Sequence, residues 1–304
     1  MSFLLIMNPG SRSGRGKQLW KIWECGLRDA GAAFNTIQTS GVGDAIRIAK
    51  SAKDDETVVA VGGDGTINEV LDGVIQSGKH NVRMGVLYSG TSPDFCRFHK
   101  IPIEPKAALQ TLLAGNNFAR DVARIVYHDR QGAQYTAHFG CSSNIGMGAS
   151  IACHANRTRR YLGDTLGTAL AVLGTVIKNN LVDLDLEIDN EIIPLVKTNN
   201  LTIAKNPYIA SGLKLQVDIK PDDGKLWIIG IHGKNRIGML KLIPSFYTGA
   251  ITAKPEIFMR CCNKIIISSQ KSWKIEFDGD PKGYLPIHVE ILPKALRLVG
   301  NAHE

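Results

Sequence analysis

The residues of this 304-residue chain that could do chemistry gather where apolar runs end. The sharpest case is TVVAVGGDGTINEVLDGVI, residues 57–75. An apolar strand ends in Gly62-Gly63-Asp64-Gly65, and a helix is expected at once over Thr66 to Gln76. Thr66 and Glu69 have the spacing of a capping box at its start. Three glycines let the backbone approach a ligand closely. The free N–H groups and positive end of the helix favour a phosphate. Asp64 is expected in the same solvent-facing loop, where its carboxylate could hold Mg²⁺ or take a proton. The plainer reading, a tight strand-to-helix turn, leaves three glycines around one acid unexplained.

Two further loops share this character. NPGSRSGRGKQ, Asn8 to Gln18, follows the apolar run FLLIM and offers glycines, hydroxyls and three cations. It is not a P-loop of the form G-x-x-x-x-G-K-[ST]: Gly10 stands one residue too far from Gly16-Lys17, and Gln18 replaces the hydroxyl. YSGTSPDFCR, Tyr88 to Arg97, offers Thr91, Asp94 and Arg97. Alone, this stretch reads as a surface turn.

The elements that must position these loops alternate. Strands at FLLIM, FNTIQT, TVVAV and RMGVLYS are separated by helical patterns at Lys17 to Ala30, Asp44 to Lys53 and Thr66 to Gln76. Such alternation predicts a parallel sheet with helices on its faces, and ligands bind such sheets beyond the carboxyl ends of the strands. Three loops there converge on one crevice. After about Asp121 short β-rich runs follow one another, from ARIVYHD to IHVEIL, separated by DRQG, PDDG and GDPKG. This reads as an antiparallel sandwich, with one helical insertion around Arg157 to Asn179. The expected division is 1–122 and 123–304, the last residues returning to the first domain. PDDG, Pro221 to Gly224, is expected as a hairpin turn.

Composition bounds the partners. A net charge of +8 suits phosphate-rich ligands or an anionic membrane surface. Six cysteines show no C-x-x-C spacing and no H-E-x-x-H occurs, so buried free thiols are expected, with neither disulfides nor a zinc site. The longest apolar stretch, Leu162 to Ile177, is too short and too interrupted for a membrane span. The expectation is a cytoplasmic protein, peripheral to the membrane.

NPGSRSGRGK, GGDGT, GTSPDF, PDDGKL and FDGDP, in this order over nearly the whole chain, resemble the diacylglycerol kinase catalytic family. The likeness is nearest to its soluble bacterial lipid kinases, related to sphingosine kinases and NAD kinases. It implies an N-terminal Rossmann-like parallel-sheet domain, a C-terminal antiparallel β-sandwich, and an active site in the cleft between them. It also implies a phosphotransferase that uses ATP and Mg²⁺ on the hydroxyl of a diacylglycerol-like lipid. Asn8, Lys17, Thr39, the run Gly63, Asp64, Gly65, Thr66, Ile67, Asn68 and Glu69, and Thr91 would contact the nucleotide. Asp121 matches an aspartate near the cleft. Asp223, with the main-chain carbonyls of Lys220 and Lys225, would hold a structural Mg²⁺. Asp280 stands where the family has a catalytic glutamate, one methylene shorter, with Asp64 serving metal and phosphates.

Pro93 replaces a usual asparagine and Tyr88 a usual proline. The helical insertion, with Arg157, Arg159 and Arg160 before it, is the expected lipid element. No nucleic-acid partner is expected, and a homodimer is left open. The alternatives are a soluble NAD-kinase-like enzyme and a nucleotide- or lipid-binding protein without turnover.

Overall fold

The structure is a computed structural model that describes residues 2–11, 16–151, 174–178, 180–209, 213–254 and 256–301. Strands β1 (Ser2–Met7), β2 (Ala33–Gln38), β3 (Thr57–Gly62) and β4 (Arg83–Tyr88) alternate with helices α1 (Gly16–Asp29), α2 (Asp44–Lys50) and α3 (Asp64–Gln76). Short helices α4 (Asp94–Phe98) and α5 (Pro105–Ala114) follow. The strands lie in the order β2-β1-β3-β4, and each neighbouring pair is parallel. All six residues of β3 are buried, because helices cover both faces of this part of the sheet.

Successive strand residues feed opposite faces. Leu4, Ile6, Val58 and Ala60 pack with Ile48, Ile67 and Leu71 of α2 and α3. Phe3, Leu5, Val59 and Val61 pack with Trp23, Leu27 and Leu112 of α1 and α5. Burying each such side chain stabilises the fold by roughly 1.5–3 kcal/mol.

The second half holds β5 (Asn117–His128), β6 (Gln134–Phe139), β7 (Ser142–Gly146), β8 (Val182–Ile188) and β9 (Glu191–Ala204). They are followed by β10 (Tyr208–Ile209), β11 (Leu213–Lys214), β12 (Leu226–His232), β13 (Ile257–Cys262), β14 (Lys264–Ser268), β15 (Lys274–Phe277) and β16 (Asp280–Val299). Their pairings with one another are antiparallel, around a core that includes Phe139, Leu201, Phe277 and Val289.

The two halves are not separate sheets. β16 runs antiparallel to β5, and at its end Arg297 and Leu298 pair in parallel with Arg83 and Met84 of β4. The expected boundary at residue 122 falls inside β5. The expected hairpin at Pro221 to Gly224 does not form, since the strand after it, β12, pairs with β9 and β13. Of the helical insertion, only residues 174–178 are described, and Arg157, Arg159 and Arg160 lie outside the described residues. No helix among the described residues is long and apolar enough to cross a membrane. Among the cysteines described, Cys96 and Cys262 are buried as expected, whereas Cys25 and Cys261 are exposed.

Candidate active site

The loops after β1, β3 and β4 are tied together at the carboxyl ends of their strands. Asn8 donates its backbone N–H to Val61 O (3.0 Å) and its Nδ2 to Thr66 Oγ1 (3.2 Å). Ser11 Oγ donates to Ser89 O (2.6 Å), and Ser89 N–H to Gly62 O (2.8 Å). A Cβ on Gly90 would stand 2.5 Å from Gly63 Cα, so the second and third loops touch backbone to backbone and only glycine fits. Thr39, just past β2, donates its N–H to Met7 O (2.9 Å). Lys17 lies in the first turn of α1, and Thr91 is exposed on the third loop.

Helix α3 begins at Asp64, two residues earlier than expected, with Gly63 as its N-cap and no side chain capping it. The capping box therefore does not form. Thr66 Oγ1 is engaged by Asn8, while the Glu69 carboxylate accepts Gly43 N–H (2.8 Å) and Ala45 N–H (3.3 Å) at the start of α2. Ile67 is a core residue, and its N–H is already used by Gly63 O (3.0 Å). Asn68, with its carboxamide nitrogen turned toward the acid, donates to Asp278 Oδ2 (2.6 Å). Of the run 63–69, then, only the part up to Thr66 faces the loops. The side chains of Ile67, Asn68 and Glu69 are occupied elsewhere.

The opposite wall is the turn between β15 and β16. Asp278 and Gly279 have φ of +48° and +88°, with Phe277 paired to Asp280, the two-residue hairpin that Asp-Gly suits. The Asp278 carboxylate accepts the N–H groups of Gly140 (3.1 Å), Cys141 (3.0 Å) and Ser142 (2.9 Å). Burial still pushes it up to about 6. Glu276, fully buried, is pushed up to about 8 by burial, though Asn144 Nδ2 (2.8 Å) and Gly279 N–H donate to it. Asp280 Oδ2 lies 4.0 Å from where a Cβ on Gly65 would stand, which puts its carboxylate against the start of α3. Burial raises its pKa, with Lys282 opposing.

Asp64 stands between these walls. It is not in a solvent-facing loop: its Oδ1 is buried without a partner. Burial first, and then the charges of Asp94 and Asp278, push its carboxyl up to about 8, against the Phe95 N–H and Arg97. Acids converge on the positive end of a helix whose first N–H groups face the loops. Such a place takes up a cation, a proton and phosphate oxygens together. Sequence reasoning missed Glu276 and Asp278; the three acids at alternate positions in EFDGD were the available signal.

Gly65 tests this reading. It is exposed and helical, so alanine there should raise stability by up to about 1 kcal/mol. The added methyl would fill the space between the loop and Asp280. Gly65→Ala is expected to melt higher and to lose most turnover in a steady-state assay. Unchanged turnover would show that nothing binds against this turn of helix.

The expected structural Mg²⁺ site does not fit a divalent ion. Lys205 Nζ donates to Lys220 O (2.7 Å) and Asp223 Oδ1 (2.8 Å), two of the oxygens assigned to the metal. Lys225 donates its own N–H to Asp223 Oδ1 (3.1 Å). Asp121 is buried beneath this turn: its Oδ2 accepts Gly224 N–H (2.7 Å) and stands 3.1 Å from Lys205 Nζ. Among the described residues no group of three or more His, Cys, Asp and Glu is arranged to hold a metal.

Known proteins are similar to this chain in sequence and in fold. Residues 2–125 match the family model of the diacylglycerol kinase catalytic domain, and residues 141–300 that of the YegS C-terminal NAD kinase beta-sandwich-like domain. A diacylglycerol kinase of Staphylococcus aureus is 26% identical over 294 residues, covering 93% of this chain and 87% of that one. The crystal structure of a diacylglycerol kinase from Bacillus anthracis superposes with a TM-score of 0.70 at 18% identity, covering 99% and 97% of the two chains. Yeast NADH kinase, solved with NADH, shares the fold at a TM-score of 0.59 and 13% identity, covering 99% and 84%.

Proposed function

This chain belongs to the diacylglycerol kinase catalytic family and is a phosphotransferase with an alcohol acceptor; on that premise we propose that it moves the γ-phosphoryl of ATP to the hydroxyl of a diacylglycerol-like lipid. The observation that carries the proposal is the cluster at the head of α3, where Asp64 is buried beside Asp94 and Asp278 and the Asp280 carboxylate, from the other half of the chain, lies against the neighbouring Gly65. We read residues 1–122 as a Rossmann-like nucleotide domain and 123–304 as the lipid-facing sandwich, with the cleft between them as the active site.

Asn8, Lys17, Thr39, Thr91 and the backbone from Gly63 to Thr66 would line the nucleotide's phosphates. Mg²⁺ fits at Asp64, whose Oδ1 is buried and unpartnered. Mg²⁺ is usually held by one or two carboxylates plus the substrate's own phosphates, so one free acid suffices. When bound it would neutralise charge on the transferred group. Asp280 would accept the proton of the lipid hydroxyl, and burial, by raising its pKa, strengthens it as a base. The Asp278 turn positions Asp280 and, through Asn68, ties it to α3.

The net charge of +8 supports peripheral binding to anionic lipid. Turnover of Mg·ATP should be several-fold higher with diacylglycerol in anionic vesicles than without lipid. The gain should shrink with added salt, because exposed charges are screened beyond about 8 Å at physiological ionic strength. The fold shared with yeast NADH kinase supports a second reading, a soluble small-molecule kinase. Turnover on NAD and none on lipid would select it, and no turnover on either would leave a binding protein.

A further inference from the structure

We propose that Lys205 is a built-in cation: its ammonium stands in for a divalent ion at the 220–225 turn and holds that turn without metal. Lys205 follows β9, and its side chain is 1% exposed. An ammonium has three N–H donors. Three oxygens lie within reach: Lys220 O at 2.7 Å, Asp223 Oδ1 at 2.8 Å and Asp121 Oδ2 at 3.1 Å.

Both acids are otherwise satisfied by backbone. Asp223 Oδ2 accepts Lys220 N–H (3.2 Å), and Asp121 Oδ1 accepts Lys294 N–H (2.9 Å). Asp121 N–H closes the turn onto β5 through Pro221 O (2.8 Å). The adjoining Arg120 guanidinium lies 3.8 Å from Asp222 and adds a second positive charge near Asp121.

Metal and ammonium exclude each other here. Mg²⁺ needs its oxygens at about 2.0–2.1 Å and Ca²⁺ at about 2.3–2.6 Å, whereas these oxygens stand at hydrogen-bonding distance around a nitrogen. A divalent ion on the same oxygens would lie within a few ångströms of a buried positive charge, where little water screens the repulsion.

The backbone that carries the built-in cation also leads to the candidate active site. Lys205 and Asn206 both donate their N–H groups to Cys141 O (2.8 and 3.1 Å), and Asn206 Nδ2 donates to Asp94 O (3.0 Å). Cys141 N–H in turn donates to Asp278. The backbone that follows β9, with Asn206, therefore ties together the two loops that carry Asp94 and Asp278, and the ammonium itself touches neither.

The test uses the full chain without nucleotide, so it does not depend on the kinase reading. Mn²⁺ occupancy, followed by electron paramagnetic resonance, is expected to be equal in the parent and in Asp223→Asn; one site fewer in the variant overturns the proposal. Lys205→Ala opens room among the three oxygens and leaves the buried Asp121 and the partly buried Asp223 unbalanced. It should melt roughly 6–10 °C lower in EDTA, recover with millimolar Mg²⁺ or Mn²⁺, and gain one Mn²⁺ site. Lys205→Met fills the space without charge and should melt as low with no recovery. If divalent ions raise the alanine variant no more than the methionine variant, the proposal is overturned. Should neither variant fold, the comparison of parent with Asp223→Asn decides.

Discussion

Replacing Asp64 with asparagine is expected to abolish phosphoryl transfer while raising the melting temperature. The two effects share one cause. Asp64 is buried beside Asp94 and Asp278, its Oδ1 has no partner, and its carboxyl is pushed up to about 8. In the unfolded chain it titrates near its ordinary value of 3.8. Between pH 4 and 8 the folded chain therefore binds more protons than the unfolded one, so this group destabilises the fold progressively as pH rises. Asparagine cannot ionise. Its gain in stability should be negligible near pH 4 and should grow to about 2–4 °C by pH 8. Without the carboxylate nothing at this position draws in a cation, and turnover should fall by at least about 10³-fold. Thermal melts at several pH values, beside single-turnover assays, read both. A variant that melts lower and keeps its rate would make Asp64 a structural residue of the turn.

Replacing Asp280 with asparagine is expected to cost about 10²–10⁴-fold in kcat, the usual contribution of a positioned acid or base. The amide keeps the shape but cannot take the proton. Glutamate is the sharper substitution. Asp280 Oδ2 already reaches to within 4.0 Å of the position a Cβ on Gly65 would hold, and Phe277 pairs with Asp280 across a two-residue turn that leaves no slack. The shorter acid already lies against the start of α3. An added methylene would push into the first turn of α3, so Asp280→Glu should slow the enzyme and raise KM. Glutamate turning over faster than the parent would show the cleft to be open instead. An asparagine variant as fast as the parent would move the base role to Asp64.

The strands and helices of the first 90 residues were legible in the sequence because strands covered on both faces read as short continuous apolar runs, whereas the helices repeat their apolar positions at helical spacing. Every strand of that part ends where a glycine-bearing or polar run begins. The loops were legible too, since glycine beside acid and hydroxyl residues marks a turn wherever it occurs. Sequence alone therefore determined that three loops cluster beyond parallel strands and that Asp64 lies where a strand gives way to a helix.

What Asp64 and its neighbours do there was decided by tertiary packing. Thr66 and Glu69 have the spacing of a capping box, yet α3 starts two residues earlier because the Gly63 backbone must pass Gly90, and Glu69 is drawn to the bare N–H groups of α2. Asp-Gly occurs in both PDDG and FDGDP. Only the second forms a two-residue hairpin, because only there do the flanking strands find each other. Lys205, at the end of the ordinary-looking strand LTIAK, carried no local signal at all. Its three oxygens come from residues 121, 220 and 223, brought together by β5, β9 and the turn before β12. A hydrophobic period reports which face of an element is buried, whereas a charge's partner depends on which distant segment arrives beside it.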